Sequence, residues 1–125
     1  EVIDDTVNTE KVTRLVFCSG KFYYDLLAER ENLQREDIAL VRIEQYFPLH
    51  TDKIQKVINR YTNVIDYVWA QEEPRNMGAY SHILMHFDGA ASFRVCSRKI
   101  YAAPASGSSV RSKLRQINII KSVFN

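Results

Sequence analysis

Apolar positions along this chain fall into two rhythms. Short continuous apolar runs alternate with segments whose apolar residues recur every three or four positions. The continuous runs predict buried strands and the spaced ones amphipathic helices. Residues 12–18 read as a strand with Leu15, Val16 and Phe17 inside it. Ser19-Gly20 then turns the chain into a helix over 21–32. Residues 38–43 form a second apolar strand, ended by Glu44-Gln45 and closed by Pro48. Thr51 reads as an N-cap, with Asp52 in the first turn to complement the helix dipole. The helix that follows is the cleanest periodic segment. Ile54, Val57, Ile58 and Tyr61 share one face, while Lys53, Lys56 and Arg60 lie on the other.

The third strand covers 64–71, an apolar run broken only by Asp66 until it stops at Gln71-Glu72-Glu73-Pro74. Pro74 has no N–H for a ladder and ends it, and Gly78 allows a tight turn into a helix over 79–87 that carries few charges. A fourth strand is predicted over 99–103, stopped by Pro104. Gly107-Ser108-Ser109 leads into a last helix whose apolar face is Val110, Leu114, Ile117, Ile120, Val123 and Phe124. Continuous apolar strands alternating with helices predict an α/β three-layer sandwich, a mostly parallel sheet covered on both faces. Val2-Ile3 can add a short edge strand. Trp69, between Val68 and Ala70, is expected in the core.

At 125 residues, 46% hydrophobic and 26% charged, the chain reads as one domain, 1–125, of ordinary globular composition. No apolar run approaches the length of a membrane span. The start, Glu-Val-Ile-Asp-Asp, lacks the regions of a signal peptide and an initiator Met, so a fragment or processed product is expected. Two cysteines are too few for a disulfide framework, which predicts free thiols in a reducing compartment. Cys96 is expected in a connection. The net charge is only +2 but uneven: residues 1–88 hold 10 basic and 15 acidic side chains, and residues 89–125 hold seven basic and none acidic. The basic third, Arg94, Arg98, Lys99, Arg111, Lys113, Arg115 and Lys121, is expected to face something acidic, a neighbouring domain or a phosphate-bearing ligand. Nucleic acid fits worst, since the cations are scattered and no recognition motif accompanies them.

Most self-contained chemistries are excluded. There is no Walker loop, no Gly-x-Gly-x-x-Gly and no Gly-x-Ser-x-Gly elbow. Cys18 opens Cys-Ser-Gly-Lys at a helix start, but a cysteine phosphatase needs an arginine six residues on, where Tyr24 stands. A small buried thiol explains it better. His82 and His86 are four apart on a predicted helix and can share a face. Ile83 stands where a metalloprotease has its glutamate, and nothing in the spacing demands that His50, a cysteine or an acid complete a metal site. Glu72 and Glu73 are adjacent on an extended segment and point opposite ways, so they do not act on one atom.

What remains is a polar edge. Arg42, Glu44 and Gln45 end one strand, and Gln71, Glu72 and Glu73 end another, followed by Arg75 and Asn76. In a parallel sheet both sets lie on one rim, where ligands and partner domains gather. A solvated loop with a local Glu–Arg pair is the plainer alternative.

Three segments together carry a resemblance: Cys18-Ser19-Gly20-Lys21-Phe22-Tyr23-Tyr24-Asp25-Leu26, Val41-Arg42-Ile43-Glu44-Gln45-Tyr46-Phe47-Pro48, and Trp69-Ala70-Gln71-Glu72-Glu73-Pro74-Arg75-Asn76-Met77-Gly78-Ala79-Tyr80. With Tyr101-Ala102-Ala103-Pro104-Ala105-Ser106-Gly107 and the opening Val2-Ile3-Asp4-Asp5, they resemble the C-terminal domain of the 2-oxoglutarate dehydrogenase decarboxylating component over essentially the whole chain. In the last helix this chain departs from the family, with Ser-Ser-Val-Arg-Ser-Lys-Leu-Arg-Gln where relatives carry a histidine and several acids or glutamines. The resemblance implies a transketolase C-terminal-like fold, a five-stranded sheet with Val2-Ile3 as its antiparallel edge. It further implies a full-length homodimer that uses thiamine diphosphate and magnesium, held by preceding catalytic domains, to decarboxylate 2-oxoglutarate. The succinyl group passes to the lipoyl arm of dihydrolipoyl succinyltransferase. No catalytic, cofactor or metal residue of that site maps onto this chain, so the domain is expected to be structural, interfacial and regulatory at most. Some relatives bind an acetyl-coenzyme A-type effector against this domain. The basic third suits such phosphates, but an acidic neighbouring domain suits it better, because interdomain faces are commonly polar. The compartment implied is the cytoplasm in a bacterium and the mitochondrial matrix in a eukaryote. The alternatives are the same domain of a 2-oxoadipate-preferring relative, or a free-standing flavodoxin-like binding module.

Overall fold

The computed structural model describes residues 1–75, 77–98 and 109–125. Strands and helices alternate among them: β1 (Val2–Ile3), β2 (Arg14–Cys18), α1 (Phe22–Leu33), β3 (Ile38–Ile43), α2 (Thr51–Arg60), β4 (Asp66–Pro74), α3 (Tyr80–His86), β5 (Arg94–Arg98) and α4 (Ser109–Phe124). The sheet runs β1-β3-β2-β4-β5. Its four long strands are parallel and β1 is antiparallel to β3, with Val2 opposite Ile43. This is the expected α/β sandwich with one antiparallel edge.

Alternation along the strands sorts the core into two layers. Leu15, Phe17, Val41 and Trp69 face one side, where Ile54 and Val57 of α2 and Ile83 of α3 cover them. Val16, Leu40, Val68 and Ala70 face the other, against Phe22 and Leu26 of α1 and Ile119 and Val123 of α4. Each fully buried aliphatic or aromatic side chain contributes about 1.5–3 kcal/mol. The apolar stripe of α2 is the one its periodicity predicts: Ile54, Val57 and Tyr61 are buried and Ile58 packs beside them.

Several expectations need correction. The strand predicted over 99–103 lies outside the described residues. The strand that pairs with β4 is β5, and Cys96, expected in a connection, sits inside it and is buried. Its Arg-Val-Cys-Ser-Arg sequence hides the strand because polar ends are tolerated on a short edge. β4 extends to Pro74 rather than stopping at Gln71, with a register shift between Ala70 and Pro74. Thr51 is the first residue of α2, not its N-cap; His50 holds that position without a side-chain cap. In α4, Leu114 and Ile117 are exposed, while Ile119, Val123 and Phe124 are buried. Apolar residues occupy more than one face of that helix, so periodicity alone could not choose between them.

The N-terminal segment protects the sheet edge. β1 covers β3 only as far as Arg42. Below it the Asp5 carboxylate accepts from the Leu40 N–H at 2.8 Å, replacing a strand neighbour. Asp5 is also ion-paired to Arg30, and both side chains are almost fully buried. At the amino ends of the strands, Asp66 accepts from Arg14 at 2.8 Å and Arg94 at 3.0 Å. Burial alone would raise the Asp66 carboxyl, but the two guanidinium groups outweigh it and hold it below the usual range.

Candidate functional site

Because β2, β3 and β4 are parallel, their carboxyl ends open on one rim. β2 leads through α1 to β3 on one side, and β3 leads through α2 to β4 on the other. The rim between β2 and β4 is therefore the topological switch point, where open α/β sheets place crevices.

The rim residues singled out from the sequence divide into three kinds. The first are already paired with each other. Arg42 Nε donates to Glu44 at 3.2 Å, and its guanidinium lies over the Tyr23 ring at 4.7 Å. Glu44 also accepts from the Gly20 N–H at 3.1 Å, which ties the β3 end to the β2 turn. Gln45 is half-buried beside Glu1.

The second kind is Gln71, which is buried rather than exposed on the rim. Its Oε1 accepts from the Trp69 indole N–H at 2.8 Å and the Tyr80 N–H at 3.3 Å. Its Nε2 donates to the carbonyls of Glu73, Pro74 and Met77. One amide thus shapes the whole connection from β4 to α3. Gly78 completes it. Its φ of +72° is left-handed, and a Cβ there would stand 2.9 Å from Glu73 Oε2.

The third kind points outward. Glu72 lies on the α4 side and accepts from Gln116 at 2.9 Å. Glu73 lies on the α3 side, as the alternation requires. Among the described residues Glu73 and Arg75 are exposed and neither has an ion-pair partner. The local Glu–Arg pair of the plainer alternative is not formed. Asn76 lies outside the described residues.

The sequence did not point to the cleft that these elements enclose. It has a volume of about 320 Å³ and is lined by Ser19, Tyr46, Phe47, Trp69, Glu73 and His82, among others. The Tyr46 hydroxyl donates to Ser19 Oγ. Burial, followed by the charges of Glu44 and Glu73, pushes the Tyr46 phenol up, against the opposing effect of the Ser19 bond. His82 Nε2 is 2.7 Å from the Tyr46 carbonyl, so that nitrogen carries the proton and donates. The His82 ring packs on Phe47 and on His86, each with centroids 4.3 Å apart. The only available signal was Tyr46-Phe47 placed directly after an apolar strand.

Chemistry is weak here. Cys18 is buried, and burial pushes its thiol up to about 12, with Glu44 adding to the effect. Full burial and that direction of shift both disfavour a thiolate nucleophile at Cys18. Among the described residues no group of three or more His, Cys, Asp or Glu is placed to hold a metal ion.

The family model described as 2-oxoglutarate dehydrogenase C-terminal matches residues 1–124. The 2-oxoadipate dehydrogenase complex component E1 of Danio rerio is 43% identical over 83% of this chain and 12% of its own length. The 2-oxoglutarate dehydrogenase E1 component of Azotobacter vinelandii is 40% identical over 96% of this chain and 14% of its own. This chain thus spans about one-eighth of the curated relatives it matches. A solved split-gene transketolase, described as an inactive beta4 tetramer, matches 92% of this chain and 39% of its own with a TM-score of 0.62. At 13% identity that likeness concerns the fold alone. The whole-length family match, with relatives at this identity, means that this chain belongs to the 2-oxoglutarate dehydrogenase C-terminal family.

Proposed function

We propose that this chain is the C-terminal domain of a larger 2-oxo acid dehydrogenase. The full-length homodimer would decarboxylate 2-oxoglutarate with thiamine diphosphate and magnesium and pass the succinyl group to dihydrolipoyl succinyltransferase. The domain itself holds the assembly together rather than doing chemistry. The family match over residues 1–124 carries this reading, in preference to a free-standing flavodoxin-like module. A 2-oxoadipate-preferring enzyme is the second reading, since relatives of both names match at similar identity, 43% and 40%. The compartment follows the source: bacterial cytoplasm or mitochondrial matrix, both compatible with buried free thiols. An acetyl-coenzyme A-type effector is a weaker part of the reading than an acidic neighbouring domain, because Arg94 of the basic third is already held by Asp66.

The residues present do not fit thiamine diphosphate. No glycine-rich phosphate cradle exists in the sequence, and the described acids and histidines form no metal cluster. Titrating the 125-residue chain with thiamine diphosphate and magnesium in a calorimeter should give no heat of binding. A saturable isotherm in the micromolar range would overturn the assignment of that cofactor to other domains.

The rim is assigned a docking role. Glu73→Lys or Arg75→Glu should lower the thermal stability or dimer assembly of the full-length enzyme and leave the circular dichroism of the 125-residue chain unchanged. Normal assembly with lost turnover at saturating substrate and cofactor would instead make the rim catalytic.

A further inference from the structure

Helix α3, Tyr-Ser-His-Ile-Leu-Met-His, carries no Lys, Arg, Asp or Glu. On the same face of the sheet, α2 turns Asp52, Lys53, Lys56 and Arg60 toward solvent. α1 and α4 likewise carry several charges among the described residues. A solvent-facing helix keeps such groups; α3 lacks them and buries fully only Ile83. Met85 is 78% exposed and Leu84 42%. The patch extends beyond the helix. Phe47, 79% exposed, packs on His82, and His82 packs on His86 one turn later. Met85 shares that face, three residues after His82. Met77, 40% exposed, lies in the turn that leads into the helix.

A surface of Phe47, Met85 and the two histidines, without Lys, Asp or Glu, has the composition of an interface core. It adjoins the cleft at the switch point; of the two exposed rim charges without an ion-pair partner among the described residues, Glu73 and Arg75, Glu73 is the one that lines that cleft. A second exposed apolar pair, Leu114 and Ile117 on α4, is a weaker candidate because Lys113 and Lys121 flank it as on an ordinary wet surface.

We propose that the face formed by Phe47, His82 and Met85 is the surface on which the preceding part of the same polypeptide packs, through an apolar segment that brings a cationic side chain to Glu73. The occupant follows from two facts. Most of the length of the curated relatives lies outside the segment this chain matches. The unpaired carboxylate at the margin selects a cation, which an arginine of that polypeptide supplies best, by bidentate bonding to Glu73 and stacking on Phe47. The inference rests on the reading of this chain as one domain of a longer enzyme and names the face that docks.

Hydroxyl-radical footprinting with mass spectrometry tests it on the full-length enzyme and on the 125-residue chain, whose folding is checked by circular dichroism. Met85 should oxidise about tenfold more slowly in the full-length enzyme than in the short chain, because interface cores exclude water. Phe47→Asp in the full-length enzyme should restore most of the lost reactivity. Glu73→Gln should restore part of it. Equal Met85 rates in both proteins, with Leu114, Ile117 and Tyr24 protected in the full-length form, would show docking through the α1–α4 face. That outcome overturns this inference and leaves the domain reading intact. Equal rates at every one of these positions would overturn both.

Discussion

Replacing Trp69 by Ala should destabilise the chain by about 3–5 kcal/mol, the range for truncating an aromatic side chain in a packed core. Trp69 is 1% exposed and lies in β4, an interior strand of the sheet between the central β2 and the edge strand β5. Its ring belongs to the layer that also holds Phe17, Val41 and Ile83. The substitution removes more than apolar contact. The indole N–H donates to Gln71 Oε1, and Gln71 orders the connection to α3. Urea unfolding should therefore show a large drop in midpoint. Amide exchange should also rise in the turn after β4, beyond the rise elsewhere. A loss below about 1 kcal/mol, the level of an ordinary surface change, would mean that Trp69 is not part of the core.

Asp5→Ala should cost a similar amount, about 3–5 kcal/mol, by leaving a buried charge without its partner. Arg30 is 6% exposed on the inner face of α1, and its nearest carboxylate is Asp5. What remains is the Ile38 carbonyl at 3.3 Å and the solvent-exposed Glu31 carboxylate at 3.9 Å, which neutralise it only weakly. Removing Asp5 also frees the Leu40 N–H at the edge of β3. The double variant Asp5→Ala/Arg30→Met should recover part of the loss, because no unpaired charge then remains inside. A double-mutant cycle measures this coupling. If the double variant were no more stable than Asp5→Ala alone, the loss would come from the exposed strand edge and not from Arg30.

These two positions differ in how visible they were. Trp69 stood in a continuous apolar run, and such a run predicts burial whatever the neighbours are. The same logic located β2, β3 and the stripe of α2, because the period of apolar residues is set by the local geometry of strand and helix. Arg30 and Asp5 carried no comparable signal. They are 25 residues apart, and each alone reads as a surface charge. Only the return of β1 along β3 brings them together inside.

The candidate site shows the same division. The Gln-Glu-Glu-Pro sequence after an apolar run sufficed to mark a strand end with a polar rim. It could not reveal that Gln71 is buried, since a polar residue after a strand looks exposed until the carbonyls that fold over it are known. Nor could it join Ser19, Tyr46 and His82 into one cleft, because three separate connections meet there only through the order of the strands. β5 and the buried face of α4 were hidden for a related reason: an edge strand tolerates polar residues, and a helix apolar on several faces leaves its orientation to packing. Residue type and spacing determine what each segment can be, since they act over a turn or a pleat. Which residues meet across the sheet depends on contacts distant in sequence, and these the tertiary structure alone decides.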